Sequence, residues 1–376
     1  MQTFTESANS QPFSEITTSV SSGTTTIRDL RGRFPLYGST GQIGKTNRIE
    51  FNGPSILVAR VGANAGSVYP VDGSYAVTDN TLVVRLKPGH NIGYVTELLK
   101  HADLNRLVYG SGQPLVTGTM LKQLDVPKIS IDEQALIAGA LRDADDLLTT
   151  LERLIAKKQA IKQGMMQQLL TGRTRLPGFG GQWLDSTIGE LAKLRSGRPK
   201  RQTPSGQYWI VDMGSVTREG EFIVSKKTSL AGDFLETGEL VMPKDDIGGG
   251  LIIGRTGLIS EPDTYVLADH VYALTPLGID PAFLNYSINS YDVNASLRSR
   301  ATGSAQLGLS KKSVIAQRIH HPPTLEEQRS ITQVISAIDV EVRALRQRLT
   351  KTRSIKTGMM QQLLAGRTRL PVEAAL

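Results

Sequence analysis

The sequence predicts an α+β chain: two pseudo-twofold-related domains of curved, mostly β sheet with short helices, separated by two long antiparallel coiled-coil helices. Three observations predict it. Residues 163–177 (QGMMQQLLTGRTRLP) and 357–371 (TGMMQQLLAGRTRLP) agree at 13 of 15 positions. The agreement continues without a gap, at an offset of 194, back to 131 and 325, with 21 identities over 47 positions, so the chain contains a duplication. Apolar residues inside each copy step by four and three. The segments before each copy, 1–129 and 178–323, hold short apolar runs between turn-forming residues.

In the first variable segment, Ser55–Arg60 (SILVAR) and Thr81–Leu86 (TLVVRL) read as strands bounded by Gly, Pro, Asn and Asp. Asn91–Lys100 reads as a short helix. The first shared segment opens on Ser130-x-x-Glu133, a capping box, and closes on Gly172 before Pro177. Between them Ile137, Leu141, Ala144, Leu148, Leu151 and Ile155 form a coiled-coil seam. Gly164 interrupts the later part, which predicts either a tolerated glycine or a close approach or kink. The second variable segment repeats the plan, with runs at Leu240–Met242 and Leu251–Ile253 and a short helix at Pro281–Ser290. The second shared segment opens on Thr324-x-x-Glu327, continues through Ile331, Ile335, Ile338, Val342, Leu345 and Leu349, carries Gly358, and ends at Gly366 and Pro371.

Charge fixes the pairing direction. Residues 131–148 and 325–342 carry net charges of −4 and −3, and residues 149–175 and 343–369 carry +5 and +8. Parallel helices would set like charge beside like; antiparallel helices set acid beside base. The two basic stretches, 149–175 and 343–369, also explain the overall charge of +8: without them the chain sums to −5. Nucleic-acid contact would therefore come from local basic loops, not from a uniformly positive surface.

Composition removes several classes. Cysteine is absent, which excludes disulfides, thiolate metal sites and a Cys nucleophile and suits a cytoplasmic protein. The start, MQTFTESANSQPF, has no basic n-region or apolar core, so no signal peptide is expected, and no apolar run approaches a membrane span. Five histidines leave little for metal sites, and no cofactor is expected. Gly38 to Gly44-Lys45-Thr46 has an extra residue relative to a P-loop, so a nucleotide-binding protein is an alternative of low weight.

Four features resemble the specificity (S) subunit of type I restriction-modification systems. They are FPLYGSTGQIGKTN at 34–47, GPSILVARVGANAGSVYPVDGSYAVTDNT at 53–81, GSGQPLVTGTMLKQLDVPKISIDEQ at 110–134 with its echo GSAQLGLSKKSVIAQRIHHPPTLEEQ at 303–328, and the paired helix ends. The resemblance implies target-recognition domains at 1–129 and 178–323, each reading half of a split double-stranded DNA site. It implies conserved spacer helices at 130–177 and 324–376. It implies a subunit without catalysis of its own, with two adenine methyltransferase (M) subunits and, in the full complex, restriction (R) subunits as partners. An S-like subunit of another phage-defence system is the alternative. The YGSTGQIG stretch has no visible counterpart after Tyr208–Val211 (YWIV).

Small polar and basic side chains in the turns are the DNA-contact candidates, since Ser, Thr, Asn and Gln bond base edges and Lys and Arg neutralise phosphates. In the first half they are Tyr37, Ser39, Thr40, Gln42, Lys45, Thr46, Arg60, Asn64, Thr78, Asn80, Ser111 and Gln113. In the second they are Arg198, Lys200, Arg201, Lys244, Asp246, Arg255, His270, Ser304 and Gln306. The near-identical helix ends are the candidate M-subunit docking sites: Met165, Met166, Gln168, Leu169 and Arg173, with Met359, Met360, Gln362, Leu363 and Arg367.

Overall fold

A computed structural model describes residues 9–26, 29, 31–107, 115–247, 249–261, 263–303 and 306–371. The chain divides into two compact units, Met1–Glu152 with Gln347–Leu376, and Arg153–Arg346. The boundary falls inside both long helices, Ile131–Leu169 and Leu325–Met359.

The first unit holds two four-stranded sheets. One runs in the order Thr17–Ser22, Thr81–Leu86, Ser55–Ala59, Val68–Val71; the other runs Gly41–Thr46, Phe34–Gly38, Ser74–Val77, Phe51–Asn52. Ser55–Ala59 is buried along its whole length because both faces are covered. Ile56 and Val58 point into a core with Tyr94, Leu98, Ile137 and Leu364, while Leu57 joins Tyr75 and Val77 of the second sheet. The second unit repeats this strand for strand: Ala192–Ser196, Val271–Pro276, Leu240–Pro243, Gly257–Leu258 in one sheet, and Lys227–Thr228, Tyr208–Val211, Tyr265–Leu267, Phe234–Leu235 in the other. Leu240 and Met242 face the helical core, and Val241 faces the second sheet. The one parallel pairing is kept as well, with Tyr37 opposite Val77 and Val211 opposite Leu267. Leu251–Ile253 is not a strand: it forms a turn in which Ile253 is buried and Leu251 exposed.

The first short helix starts one residue later than the sequence suggests, and the second starts where expected and ends one residue earlier. They are Ile92–His101, capped by Asn91, and Pro281–Asn289, capped by Asp280. Each is tied to the start of a long helix by the same glutamine. Gln134 accepts from the Asn91 amide (3.1 Å) and donates to the Ile129 carbonyl (3.0 Å). Gln328 accepts from the Asp280 amide (2.8 Å) and donates to the Pro322 carbonyl (2.9 Å).

Within each unit the long-helix segments run antiparallel. In the first, Asp145 meets Lys356, Glu152 meets Arg353 and Glu133 meets Arg369. In the second, Lys158 meets Glu341, Lys162 meets Asp339 and Arg175 meets Glu327. The capping boxes form only by half. Ser130 and Thr324 accept the N3 amides, but Glu133 and Glu327 turn away to bind Arg369 and Arg175. The opening seam residues serve the domains, since Ile137 and Leu141 lie in the first core and Ile331 and Ile335 in the second.

Gly164 and Gly358 are tolerated glycines. A Cβ at either would meet nothing within 4 Å. Gly164→Ala and Gly358→Ala are therefore each expected to stabilise the chain, by up to about 1 kcal/mol of helix propensity. Thermal unfolding of the two variants checks this, and a lowered midpoint would show that the backbone needs glycine there.

Candidate nucleic-acid interface

Residues 34–46 form an antiparallel hairpin turned at Ser39 and Thr40, with no helix following, so Gly38–Thr46 is not a phosphate loop. The register shifts between the pairs Tyr37↔Gln42 and Leu36↔Gly44, leaving Ile43 as the extra residue of a bulge. The bulge brings Gln42 and Lys45 onto the face of Tyr37 and Pro35, and both are exposed. Tyr69 secures the tip by donating to the Gly38 carbonyl at 2.5 Å. Burial pushes the Tyr69 hydroxyl up to about 12, so it stays a donor. Thr46 points the other way and is buried at 3 % exposure, with its hydroxyl accepting from the Arg48 amide. The alternation past the bulge turns it inward, away from the exposed face of Gln42 and Lys45.

Backbone bonds gather other candidates beside this hairpin. The Thr78 amide donates to Tyr37 (2.9 Å), and the Arg60 amide donates to Asn80 (2.9 Å). Arg60 Nη1 reaches the Asp79 carbonyl at 3.5 Å, and its Nε is buried with no partner among the described residues. Asn80 is exposed and Thr78 half-buried; Asn64 is exposed on the following turn. Ser111 and Gln113 lie outside the described residues, as does Ser304.

In the second unit the strand partner of Tyr208–Val211 is Lys227–Thr228, so the hairpin counterpart exists but is interrupted by 212–226. Register places Lys227 opposite Trp209 as Lys45 is opposite Pro35, and Thr228 as Thr46. The Lys227 ammonium sits 4.3 Å from the Trp209 ring centroid. Neither is among the contact candidates above, although Lys226 and Lys227 form a basic pair in the sequence; a further signal was the dipeptide Lys-Thr at 45–46 and again at 227–228. Lys244 and His270 occupy the positions of Arg60 and Asn80, with the Lys244 amide donating to the His270 carbonyl at 3.1 Å. His270 is exposed, its Nδ1 2.7 Å from the Asp245 carboxylate. Arg198, Arg201 and Gln306 are exposed.

Three candidates there are internal. The Lys200 side chain is 5 % exposed, its ammonium held by the Gly232 carbonyl (3.0 Å) and Asp233 (3.1 Å). Asp246 is buried and accepts from the Ile252 amide, closing its own loop. Arg255 donates to the Asn289 carbonyl at 2.7 Å, and burial, then the charge of Arg298, draw its guanidinium below the usual arginine value.

The helix ends are also partly internal. Leu169 and Leu363 are core residues, and the four methionines 165, 166, 359 and 360 pack half-buried against the same cores. Packing where each helix end seats on a domain thus accounts for the repeated leucines, and it takes up part of each methionine's surface. Gln168, Gln362, Arg173 and Arg367 are exposed, as are Gln167 and Gln361. Among the described residues no group of His, Asp and Glu could hold a metal ion, and no helix is long and apolar enough to cross a membrane.

A family model described as "Type I restriction modification DNA specificity domain" matches residues 15–163. The MjaVIII type I restriction enzyme specificity subunit of Methanocaldococcus jannaschii is 24% identical in an alignment 355 positions long that covers 86% of this chain and 82% of that protein. The alignment therefore runs through both halves. Residues 15–163 thus match the type I restriction-modification DNA specificity domain, and the similarity to specificity subunits extends through both halves. The EcoprrI specificity subunit of Escherichia coli is 28% identical over 127 residues, 34% of this chain and 32% of that one. The fold is that of solved specificity subunits. The S subunit from M. genitalium aligns with a TM-score of 0.64 at 16% identity over 95% of this chain and 96% of that one. A structure reported for assembly of the type I R-M system aligns at 0.56 and 15% over 96% and 98%.

Proposed function

We propose that this specificity subunit reads a bipartite double-stranded DNA site, one half with each β domain, and presents it to adenine methyltransferase and restriction subunits. The observation that carries the reading is one scaffold built twice, with equivalent strands joined by Ser39–Thr40 in one copy and by 212–226 in the other. Equal frames with unequal connections suit two half-sites of different sequence. The division into recognition domains 1–129 and 178–323 and spacer helices 130–177 and 324–376 follows. The subunit selects and positions; the chemistry belongs to its partners, in the cytoplasm. Gln167, Gln168 and Arg173, with Gln361, Gln362 and Arg367, are exposed yet identical between the copies, while most exposed positions earlier in the helices, Lys157 with Lys351 and Ile161 with Ile355 apart, diverged. The same contact made twice would keep them, which favours two identical M subunits.

Sequencing the modified bases of the host genome tests the reading: one split adenine-methylated motif is expected, lost when this gene is deleted. The helices are expected to set the spacer between the halves. Inserting seven residues into each, after Leu151 and Leu345, adds about 10 Å, or about three base pairs at 3.4 Å each. The methylated motif should keep both halves and gain that spacing; an unchanged spacer would remove the ruler.

A further inference from the structure

Sheet register aligns the two β domains position by position, and the positions around the reading end divide into two kinds. At two of them a cation is kept. Lys45 and Lys227 sit one residue before the buried threonines 46 and 228, and their carbonyls accept from the Asp29 and Thr203 amides, both at 2.8 Å. Arg60 and Lys244 donate through their amides to residues 80 and 270, and their carbonyls accept from Val116 (2.8 Å) and Leu309 (2.7 Å). Between these cations the chemistry changes. Tyr37 is replaced by Val211, and Asn80 by His270. Asn80 and His270 are both exposed.

Two half-sites of different sequence share one thing, the spacing of their phosphates. Domains that dock alike on that backbone would keep the contacts that fix register and vary those that touch base edges. We propose that Lys45 with Lys227, and Arg60 with Lys244, are equivalent pairs of DNA-phosphate contacts, and that Asn80 and His270 occupy one equivalent base-reading position, each deciding one base of its own half-site. This rests on the DNA-reading function proposed above. It adds Lys227 as a DNA contact, and Trp209 as the ring against which its ammonium packs. It also assigns each half-site one named discriminating side chain.

The test is selection of a bound motif from randomised duplexes by the full-length chain in complex with its methyltransferase subunits, followed by salt titration on the selected duplex. K45A and K227A are expected to leave the motif unchanged in both halves. Each should weaken binding about fivefold to tenfold and lower the salt slope by about one, the release expected for one phosphate. K45R and K227R should retain slope and affinity, which separates charge from any loosening of Trp209. N80A and H270A are expected to relax a single base each, in opposite halves, with the salt slope kept. A shifted motif in K45A or K227A overturns the assignment, as does H270A that lowers the slope with the motif intact. A parent complex that selects no motif overturns the specificity reading itself and the assignment with it, a different outcome from a selective complex whose motif moves with Lys45.

Discussion

Gly206→Ala is expected to destabilise the second unit by about 3 kcal/mol, the upper end of overpacking costs. A Cβ on Gly206 would lie 2.3 Å from the Thr228 carbonyl carbon, 2.4 Å from its oxygen and 2.6 Å from its Cα. All three are backbone atoms of a paired strand, so no side chain can swing aside. Relief requires moving Lys227–Thr228 away, which breaks the register with Tyr208 and Trp209 and the bond from the Thr228 hydroxyl to the Arg201 carbonyl (2.7 Å). Gly32 makes the same approach to Thr46 in the first unit, 2.4 Å from its nitrogen. The chain's two tryptophans, Trp183 and Trp209, both belong to the second unit. Tryptophan fluorescence should therefore report early unfolding in G206A and near-parental behaviour in G32A, while circular dichroism shows a loss in both. G206A that melts with the parent would refute the close approach. The prediction contrasts with that for Gly164 and Gly358, where the same added methyl meets open space.

What the sequence revealed, and what it hid, follows the range of the interactions. The helices were legible because their signal is local and doubled: a seam of fours and threes, a charge gradient, a glycine stop. The short helices and the fully apolar strands were legible for the same reason, since burial on two faces leaves an unbroken apolar run such as SILVA. The hairpin of the second domain was hidden because its strands are separated by 212–226 and the second is only Lys227–Thr228. No periodicity is measurable over so short a strand, and pairing to a distant neighbour decides it. Lys200 and Arg255 were misread because a basic residue in a loop looks solvated until its remote partners, Asp233 with Gly232 and the Asn289 carbonyl, are in place. Arg60 with Lys244 and Asn80 with His270 were each chosen on local grounds, and the sheet register then placed them as equivalent pairs. The equivalence itself lies in the backbone bonding, which a sequence does not display.

The helix ends show why a repeat can be near-identical without any partner. Glu133 binds Arg369 and Glu327 binds Arg175; Asp145 binds Lys356 and Asp339 binds Lys162. In each case a residue of one copy meets the other copy's version of its counterpart. Each unit thus joins the opening half of one copy to the closing half of the other through the same pairs. A change to either member disturbs one pair and leaves its twin mismatched in sequence, so both copies are held together. Leu169 with Leu363 and Gly172 with Gly366 add packing and a left-handed stop, with φ of 68° and 66° at the glycines.

The reciprocal pairs are not equal, and this gives the second large effect. Arg175→Ala is expected to cost about 3 kcal/mol, and Arg369→Ala about half as much. Glu327 and Glu133 are alike, each 2 % exposed at the side chain, so either loss strands a buried carboxylate. The arginines differ. Arg175 is 24 % exposed and grips Glu327 in a fork, Nε to Oε1 at 2.6 Å and Nη2 to Oε2 at 2.8 Å. It also donates to the carbonyls of Gly181 (2.8 Å) and Gly180 (2.9 Å) and lies 5.7 Å from the Trp183 ring centroid. Arg369 is 50 % exposed, and solvent screens its charge, while Glu133 keeps the Leu370 amide at 2.9 Å after its loss. Lysine cannot reproduce the fork, so Arg175→Lys should recover only part of the stability. The double variant E327A/R175A should be more stable than R175A alone, because no lone carboxylate remains buried. Urea unfolding followed by tryptophan fluorescence measures the Arg175 series directly, through Trp183 beside it. Equal losses in R175A and R369A, or a double variant weaker than R175A, would show that the buried carboxylate is not what the arginine stabilises.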